Sequence, residues 1–413
     1  MKYSFLYLLL VAAPALAQTS FSEERLLPVH SEQDAYAPHA AAGGEGFLVV
    51  WQSGRFSSGD LRGGLKSLAA ADVAGLRLDK NGVPRESAPL SISSAPDMQT
   101  NPRVAFGGGV FLVVWQDMRG GRDWDVFGAR VSEAGEVLDP QGIEIASGVG
   151  NQALPEVAFN GEDFLVVWQD FRSRKNYELF GARVTSAGAV REPQGVALDS
   201  DLTHSAHLIT PTLASHAAGK AFLLYGVMVW SGAAGSTPPA RGLFLDGIGP
   251  GARTSYQETG YGPGRNAVPI ALAAGAGGFL ALWRTDATAG RGDAPNAGNA
   301  MALDGTGQVV KRFFIGGAEK RIQSPGACYD GARFRAVWQE TDTSQVPFQM
   351  VRTSAANAAG ELVEGAVTLS GDAGRPAAAP QVTCMGDGTV LVVYERHPDQ
   401  ADTPIAIAVR LGT

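Results

Sequence analysis

The sequence has 413 residues, of which 45% are hydrophobic and 18% are charged, and its formal net charge is −8. This apolar content supplies a large core, while an acidic chain without a basic tract argues against nucleic acid or an anionic membrane surface as a partner. Two cysteines exclude a disulfide-rich scaffold, and 53 glycines indicate many tight turns, which favours an all-β fold over low-complexity disorder.

The first 17 residues have the pattern of a secretory signal peptide. Lys2 gives a basic start, an apolar run extends from Phe5 to Ala13, and Ala15-Leu16-Ala17 forms an A-x-A cleavage site. The run is too short to span a bilayer, and no later segment is long and apolar enough to do so. We therefore predict a signal peptide followed by one domain, residues 18–413, in a periplasmic or secreted protein.

A repeated hydrophobic motif organises the rest of the chain. The sequence FLVVWQD occurs at Phe111–Asp117 and Phe164–Asp170, and as FLVVWQS at Phe47–Ser53. Weaker copies occur at Phe279–Trp283, Phe334–Trp338 and Val390–Tyr394. In each of the seven units a proline precedes an aromatic anchor. The prolines are Pro38, Pro102, Pro155, Pro211, Pro269, Pro325 and Pro380, and the aromatic anchors are Trp51, Trp115, Trp168, Tyr225, Trp283, Trp338 and Tyr394. Seven units of about 50–60 residues predict a repeat architecture, with Trp230 as an alternative anchor for the fourth unit.

Each unit contains four short strand patterns. In the second unit these are Arg103–Phe106, Phe111–Gln116, Val126–Val131 and Val137–Ile145, separated by glycine-containing turns such as Ala134-Gly135. Such turns between alternating or apolar runs are typical of β-hairpins. Four antiparallel strands per unit, repeated seven times, predict an all-β, seven-bladed β-propeller.

The two ends of the repeat region complement each other. The seventh unit shows a third strand, Ile405–Leu411, but no fourth. The apolar stretch Arg25–His30, before the first proline, stands where other units have their fourth strand. We predict that Arg25–His30 completes the seventh blade, because closing the ring removes open sheet edges.

An arginine recurs in the third strand of five units, and a glutamine or glutamate follows the aromatic anchor in the same five. The arginines are Arg77, Arg130, Arg183, Arg352 and Arg410, and the residues of the second set are Gln52, Gln116, Gln169, Gln339 and Glu395. Because the other two units lack both, we predict a structural cross-strand pair in each blade, beside buried tryptophan anchors. A ring of arginines that binds an anionic ligand is the alternative.

Carboxylates cluster in the loops between the second and third strands of units two and three. The segments are Gln116–Arg119 with Asp123-Trp124-Asp125, and Gln169–Arg172 with Asn176-Tyr177-Glu178. Calcium binding is one interpretation, since Ca²⁺ takes six to eight oxygen ligands. The spacing does not match a calcium loop, and arginines compete for the oxygens, so we favour ion pairs that fix the loops.

Several histidines, tyrosines and arginines fall in predicted loops of units three to six, and equivalent loops of neighbouring blades lie side by side. The candidate rim residues are His204, His207, Tyr256, Tyr261, Arg265 and Arg321. His204 and His207 have no third ligand at metal spacing, so we favour solvated or capping histidines over a metal site, and we expect no metal or cofactor. The six residues nevertheless form a candidate binding rim.

Cys328 and Cys384 lie in the first strands of units six and seven, three and four residues after their prolines. This offset by one places the two side chains on opposite faces of neighbouring strands. We therefore favour buried free thiols, with a bridge possible if the strand register differs.

The pattern FLVVWQD-x-R, followed by FGARV and PQG, resembles the repeats of secreted bacterial seven-bladed β-propeller proteins, mostly of unknown function. The resemblance is close over Asn101–Val196 and weakens through units four and five. It implies the propeller fold and an exported scaffold, and it carries over no catalytic residue.

The longest and least similar loops link second to third strands or cross between blades, and in a propeller these share one face. They are Ser53–Asp72, Ser200–Thr210, Ser231–Arg241, Ser255–Val268 and Thr285–Ala300. Because binding residues concentrate on variable loops of rigid scaffolds, we expect the functional site on this face, near the central channel.

The sequence contains no recognisable catalytic motif. The leading hypothesis is a monomeric, exported, non-catalytic binding module for a protein partner or a surface glycan. The alternative is a lyase-like, polysaccharide-acting enzyme in which His204 or His207 works with Tyr256 or Tyr261, which requires hydrogen-bond reach between them. A purely structural envelope component is the third possibility.

Overall fold

The computed structural model of the chain describes residues 18–29, 33–56, 68–199, 206–216, 220–229, 240–245, 253–261, 268–284, 299–316, 322–342, 348–370, 375–398 and 403–413. Every regular element within these ranges is a β-strand, and the strands form seven four-stranded antiparallel sheets. The predicted seven-bladed β-propeller is confirmed. The predicted signal peptide lies outside the described residues.

The strands follow the repeat in chain order after a short first strand, β1 (Arg25–Leu26). Blades one to three are β2 (Asp34–Gly43), β3 (Gly46–Phe56), β4 (Leu68–Asp79) and β5 (Leu90–Ser93); β6 (Gln99–Gly107), β7 (Val110–Asp117), β8 (Asp125–Ser132) and β9 (Ile143–Ala146); and β10 (Gln152–Phe159), β11 (Phe164–Asp170), β12 (Glu178–Val184) and β13 (Val196–Asp199). Blades four and five are β14 (Ala206–His216), β15 (Lys220–Val229), β16 (Ala240–Leu245) and β17 (Arg253–Tyr261); and β18 (Val268–Gly275), β19 (Gly278–Arg284), β20 (Ala300–Asp304) and β21 (Val309–Phe313). Blade six is β22 (Gln323–Tyr329), β23 (Phe334–Asp342), β24 (Phe348–Ala356) and β25 (Leu362–Ser370), and blade seven is β26 (Ala377–Cys384), β27 (Val390–Arg396) and β28 (Ala406–Gly412), with β1 as its outermost strand.

The second strand of each blade is buried on both faces, as its continuous apolar run predicts. In β11 every residue from Phe164 to Asp170 is buried, and the anchors Trp51, Trp115, Trp168, Trp283 and Trp338 are at most 1% exposed. Tyr225 is fully buried in β15 and serves as the fourth anchor, while Trp230 lies outside the described residues. The hydrophobic clusters lie between neighbouring blades, so each blade buries its faces against the next.

The N-terminal strand closes the ring as predicted. Strand β1 pairs antiparallel with β28, and Leu27 N–H donates to the carbonyl of Ile407 at 2.8 Å. Contacts begin earlier than the predicted segment Arg25–His30, since Ser20 already bonds to the backbone of Thr413. His30 lies outside the described residues.

The fourth strand of blade two is shorter than the predicted Val137–Ile145. The hairpin turn forms as expected, with Gly135 at φ 88° and Ser132 N–H bonded to the carbonyl of Glu136 at 2.9 Å. The chain then arches over Arg130, because Leu138 N–H donates to the Arg130 carbonyl at 2.9 Å. Regular pairing resumes only in β9.

The cysteine prediction is wrong, because Cys328 and Cys384 form a disulfide. The predicted placement on opposite faces of the inner strands stands, but it leads to the opposite conclusion. Blades stack face to face around a ring, so the front of blade six meets the back of blade seven. Both cysteines accordingly lie in the hydrophobic cluster between these two blades.

The predicted pairing of third-strand arginines with glutamines is also wrong. The glutamine instead accepts a backbone hydrogen bond from the residue before the next blade's proline: Gln116 from Leu154 at 3.1 Å, Gln169 from Thr210 at 2.6 Å and Gln339 from Ala379 at 3.1 Å. Glu395 does the same for Ala37 at 2.9 Å, which joins blade seven to blade one. We call this contact the inter-blade latch.

The latch secures an unfavourable backbone conformation. The residue before the repeat proline has a positive φ between 44° and 53° in six blades, at Ala37, Asn101, Leu154, Thr210, Ser324 and Ala379. Such conformations cost on the order of 1–3 kcal/mol for residues other than glycine. Each lies within an irregularity in the pairing of an inner strand, and at Ala37, Leu154, Thr210 and Ala379 the latch holds this bulge.

Three of the five arginines instead pair with a carboxylate that follows nine positions later. Arg130 Nε lies 2.8 Å from Asp139, while Arg77 and Arg183 bond to Glu86 and Glu192. Arg130 also donates to the Ser186 carbonyl in the next blade at 3.1 Å. Arg77 and Arg130 therefore join neighbouring blades, and all three arginines are paired with a carboxylate, which leaves little capacity for an anionic ligand.

Candidate functional site

Three of the six candidate rim residues lie on described strands of blade four. His207 lies on the innermost strand of blade four, β14, whereas the backbones of Tyr256 and Tyr261 belong to the outermost strand, β17. Three strand spacings, roughly 14 Å, separate the backbones of these strands. The predicted assignment of the three residues to loops is wrong, because all three lie in strands; the side chains of Tyr256 and Tyr261 lie outside what the structure describes, so the pairing with His207 stays a prediction. His204, Arg265 and Arg321 lie outside the described residues.

His207 has a structural role that a residue of blade three also performs. Its Nδ1 accepts the backbone N–H of Tyr177 at 3.1 Å, as the side-chain oxygen of Asn151 accepts that of Trp124 at 3.0 Å. Because Nδ1 is the acceptor, the neutral ring carries its proton on Nε2. The equivalence with an asparagine supports capping as the function of His207.

Two of the loop carboxylates, Asp117 and Asp170, are paired with arginines as the ion-pair interpretation predicts, whereas Asp123 and Asp125 accept the backbone N–H groups of Gly150 and Gly148. Asp117 binds Arg119 at 2.7 Å and also accepts the indole N–H of Trp115 at 2.8 Å. Asp170 binds Arg172 and Trp168 in the same way. The arginine of each pair stacks over a phenylalanine of the third strand at 3.9 Å. These contacts fix the base of each loop.

A ring of inner-strand residues lies around the central channel. In every blade, one inner-strand residue pairs with the second-strand residue that directly precedes the aromatic anchor. These inner-strand residues lie at the same level of the channel, just beyond the bulge. This channel ring consists of His39, Arg103, Glu156, Thr212, Ala271, Gly326 and Gln381. Four consecutive blades, seven, one, two and three, place partly exposed polar side chains there, while blades five and six place Ala271 and Gly326.

The polar part of the channel ring is held rigidly. Arg103 Nε donates to Glu156 at 2.8 Å and its Nη1 donates to the carbonyl of Pro102 at 3.0 Å. His39 Nδ1 accepts the backbone N–H of Val104 at 3.3 Å. Each contact joins one inner strand to another or to itself, so the side chains of His39, Arg103 and Glu156 are preorganised before any ligand arrives.

The charge state of the channel ring follows from its surroundings. Burial, reinforced by the positive charge of Arg103, lowers the pKa of His39 to about 3, so the imidazole is neutral and presents an Nε2–H donor. Burial raises the pKa of Glu156, although Arg103 partly opposes this. Arg103 and Glu156 form a salt bridge, so the two charged members of the channel ring pair with each other, and the ring offers both donors and acceptors.

The channel ring has only a faint signature in the sequence. Its signal is the residue after each repeat proline, which is polar in blades one to four and in blade seven. That signal is weak along the chain, because residues some 50 positions apart become neighbours only when the ring closes.

No metal site or membrane span emerges from the part of the chain that the structure describes. Within it, no three His, Cys, Asp or Glu side chains are grouped closely enough to hold a metal ion. Nor does any helix there have the length and apolar character needed to cross a membrane.

Solved structures share the fold. A protein of unknown function from Dyadobacter fermentans is 10% identical, with a TM-score of 0.51 over 97% of this chain and 99% of that one. The β-propeller domain of the Trilobed protease from Pyrococcus furiosus is 10% identical, with a TM-score of 0.50 over 91% of this chain and 95% of that one. That domain is described as having an open velcro topology, whereas β1 closes the ring here. Comparisons with protein families and with curated proteins found no match. At these identities the likeness shows the fold alone.

Proposed function

We propose that this protein is an exported, non-catalytic binding module whose ligand is an uncharged, hydroxyl-rich surface glycan. The channel ring is the binding site, on a rigid propeller whose recurrent third-strand arginines Arg77, Arg130 and Arg183 are paired with carboxylates. The observation that carries the proposal is the run of four partly exposed polar side chains on consecutive blades, Gln381, His39, Arg103 and Glu156.

The chemistry of these four side chains suits sugar hydroxyls. After their internal contacts, His39 Nε2–H, one amino group of Arg103, one carboxylate oxygen of Glu156 and the amide of Gln381 stay available to a ligand. A hydroxyl group both donates and accepts, so it matches such a mixed set. A charged ligand would find one compensated ion pair and no excess of either sign.

Export is part of the proposal, and two observations support it. The first 17 residues have the signal-peptide pattern, and Cys328 is bridged to Cys384. Disulfides persist in oxidising compartments such as the periplasm and the extracellular space, and they are rare in the cytosol. Detection of the processed chain in a periplasmic or culture fraction, beginning at Gln18, tests this point.

The test of binding is a thermal-unfolding screen of residues 18–413 against uncharged glycans and envelope extracts. A ligand that binds only the folded state raises Tm. We expect an uncharged glycan to raise Tm, and the double variant Arg103→Met, Glu156→Met to lose that shift. Replacing both members of an ion pair by residues of similar volume preserves folding better than removing one.

The matched control replaces an arginine and a glutamate that lie at the opposite, hairpin end of blade one. Arg85 and Glu45 are exposed there, so Arg85→Met with Glu45→Met should keep the full glycan-induced shift. If no glycan raises Tm, or if the channel-ring variant responds like wild type, the proposal is wrong. A Tm increase produced only by a protein from the extract would assign a protein partner instead.

A further inference from the structure

Two loops that join second to third strands have matching shapes, and we call them arches. They lie on the face opposite the short turns that join first to second and third to fourth strands. The arch of blade two runs from β7 to β8 and ends at Trp124, and the arch of blade three runs from β11 to β12 and ends at Tyr177. Both loops have the same length, and both place an aromatic residue just before the third strand. The side chains of Trp124 and Tyr177 take no part in the contacts of Asp117 and Asp170 described above.

Each arch is fixed to the next blade at its aromatic residue. The backbone of Trp124 donates to Asn151 and accepts from Gln152 N–H at 2.6 Å. The backbone of Tyr177 donates to His207 and accepts from Leu208 N–H at 2.9 Å. The aromatic side chains therefore sit on a backbone bonded on both sides to an inner strand of the neighbouring blade.

The arches are also rigid within themselves. Arg119 and Arg172 clamp their bases, and the backbone turns close with Gly121 N–H bonded to Met118 at 2.8 Å and Arg174 N–H bonded to Phe171 at 2.9 Å. The ring of Phe171 packs against that of Tyr177, with centroids 4.8 Å apart. The ring of Tyr177, which also lies 5.9 Å from that of His207, is therefore preorganised, so a ligand would lose little binding energy in ordering it.

Both aromatic rings are partly exposed, and their polar tips are unused within the described residues. The indole N–H of Trp124 and the hydroxyl of Tyr177 have no hydrogen-bond partner there, whereas the buried Trp115 and Trp168 each donate to an aspartate. Partly exposed Trp and Tyr with a free polar tip are typical of binding surfaces, because one flat side chain supplies apolar contact and a donor.

We propose that Trp124 and Tyr177 are two stacking sites for the ring faces of a glycan that extends outward from the channel ring. The inference rests on the proposed function. Trp124 bonds to Gln152 on β10, and Glu156 of the channel ring follows beyond the bulge; their partners on β11, Asp170 and Val167, are three residues apart, which corresponds to roughly 10 Å along the strand. Tyr177 has the same relation to Thr212 on β14. The stacking sites therefore lie above the channel ring, at a distance longer than one sugar ring.

The experiment measures affinity for a monosaccharide and for longer oligosaccharides of the same glycan, by calorimetry on residues 18–413. Trp124→Ala with Tyr177→Ala should weaken binding of the oligosaccharides about tenfold or more and leave the monosaccharide unchanged. Trp124→Phe with Tyr177→Phe keeps the flat rings, so we expect it to stay within about threefold of wild type. This second pair also separates lost stacking from lost folding.

The channel-ring variant Arg103→Met, Glu156→Met separates this inference from the proposed function. If it loses binding while the alanine pair binds oligosaccharides like wild type, only the stacking inference is overturned. If wild type binds no glycan, both are overturned. A protein that binds wild type and not the alanine pair would overturn the glycan assignment of the two stacking sites.

Discussion

The junction between blades two and three and the closure of the ring at blades six and seven are built by different means. At the first, Gln116 latches Leu154 and Arg130 joins Asp139 to the Ser186 carbonyl. Each contact repeats elsewhere at the same position in the unit. These contacts are polar, and each joins one repeat only to the next.

The closure uses contacts without a counterpart in the other blades that the structure describes. Glu364 is 8% exposed and accepts from Arg335 at 2.5 Å and from the backbone N–H of Thr19 at 3.0 Å, while Arg333 also contacts it. Arg335 itself is fully buried. The disulfide joins the same two blades from the inner side.

The difference follows from what each junction must hold. A junction between consecutive blades joins segments that are already close along the chain. The closure joins Thr19 to a residue 345 positions away, so it must offset a larger loss of chain entropy. We therefore expect the closure contacts to be the stronger ones.

Removing the central carboxylate of the closure should have the largest effect. Glu364→Ala leaves Arg335 buried and unpaired, which typically costs about 3–5 kcal/mol. Urea unfolding of residues 18–413 measures the free energy of unfolding, with exposed Glu45→Ala as the control. A loss below about 1 kcal/mol would show that the closure is no stronger than an ordinary surface contact.

The disulfide should contribute the next largest amount. Cys328→Ala with Cys384→Ala opens a loop of 56 residues and should lower the free energy of unfolding by about 2–4 kcal/mol. Reducing the wild-type protein should lower it similarly, and the reductant should leave the double variant unchanged. Equal stability of reduced and oxidised wild type would contradict the prediction.

Breaking one repeat contact should cost less. Asp117→Ser gives blade two the motif of blade one, where Ser53 follows Gln52 and the buried indole N–H of Trp51 has no hydrogen-bond partner among the described residues. The variant leaves the indole of Trp115 and the guanidinium of Arg119 without their carboxylate, a loss of about 1–3 kcal/mol. If Asp117→Ser loses more than Glu364→Ala, the contrast between repeats and closure is reversed.

Acid should weaken the closure through Glu364. Burial alone would raise the pKa of Glu364, but hydrogen bonds and charges from Arg335 and its neighbours outweigh it and hold the pKa below the ordinary value of 4.5. The stabilisation is therefore present above pH 4.5 and is lost as pH falls through the lower folded-state pKa. Wild type should lose unfolding free energy more steeply below this pH than Glu364→Gln, and parallel profiles would refute the assignment.

Much of the fold could be predicted from local patterns. The run FLVVWQD has the length and apolar character of a strand buried on both faces, and the orphan stretch before Pro38 matches the strand missing from the seventh unit. The ion pairs of Asp117 with Arg119 and of Asp170 with Arg172 are also local, since each partner lies two residues away.

The candidate site was harder to predict, because its residues are neighbours only across blades. His207 reads as a possible ligand beside His204, yet the structure shows it in the place of Asn151. Trp124 and Tyr177 lie beside carboxylates in the sequence, and the sequence pattern is interpreted through those carboxylates as a calcium site or as ion pairs. Their exposure becomes visible only once the arches are bonded to the following blades.

The sequence by itself determined the repeat, the number of blades and the manner of closure, because strand and turn formation depends on residues that are close along the chain. The tertiary structure alone decided which side chains meet. Stacking blades face to face brought Cys328 to Cys384, gave Gln116 the backbone of Leu154 instead of an arginine, and gathered His39, Arg103 and Glu156 around one channel. These contacts depend on the closure of the whole ring, which no single repeat encodes.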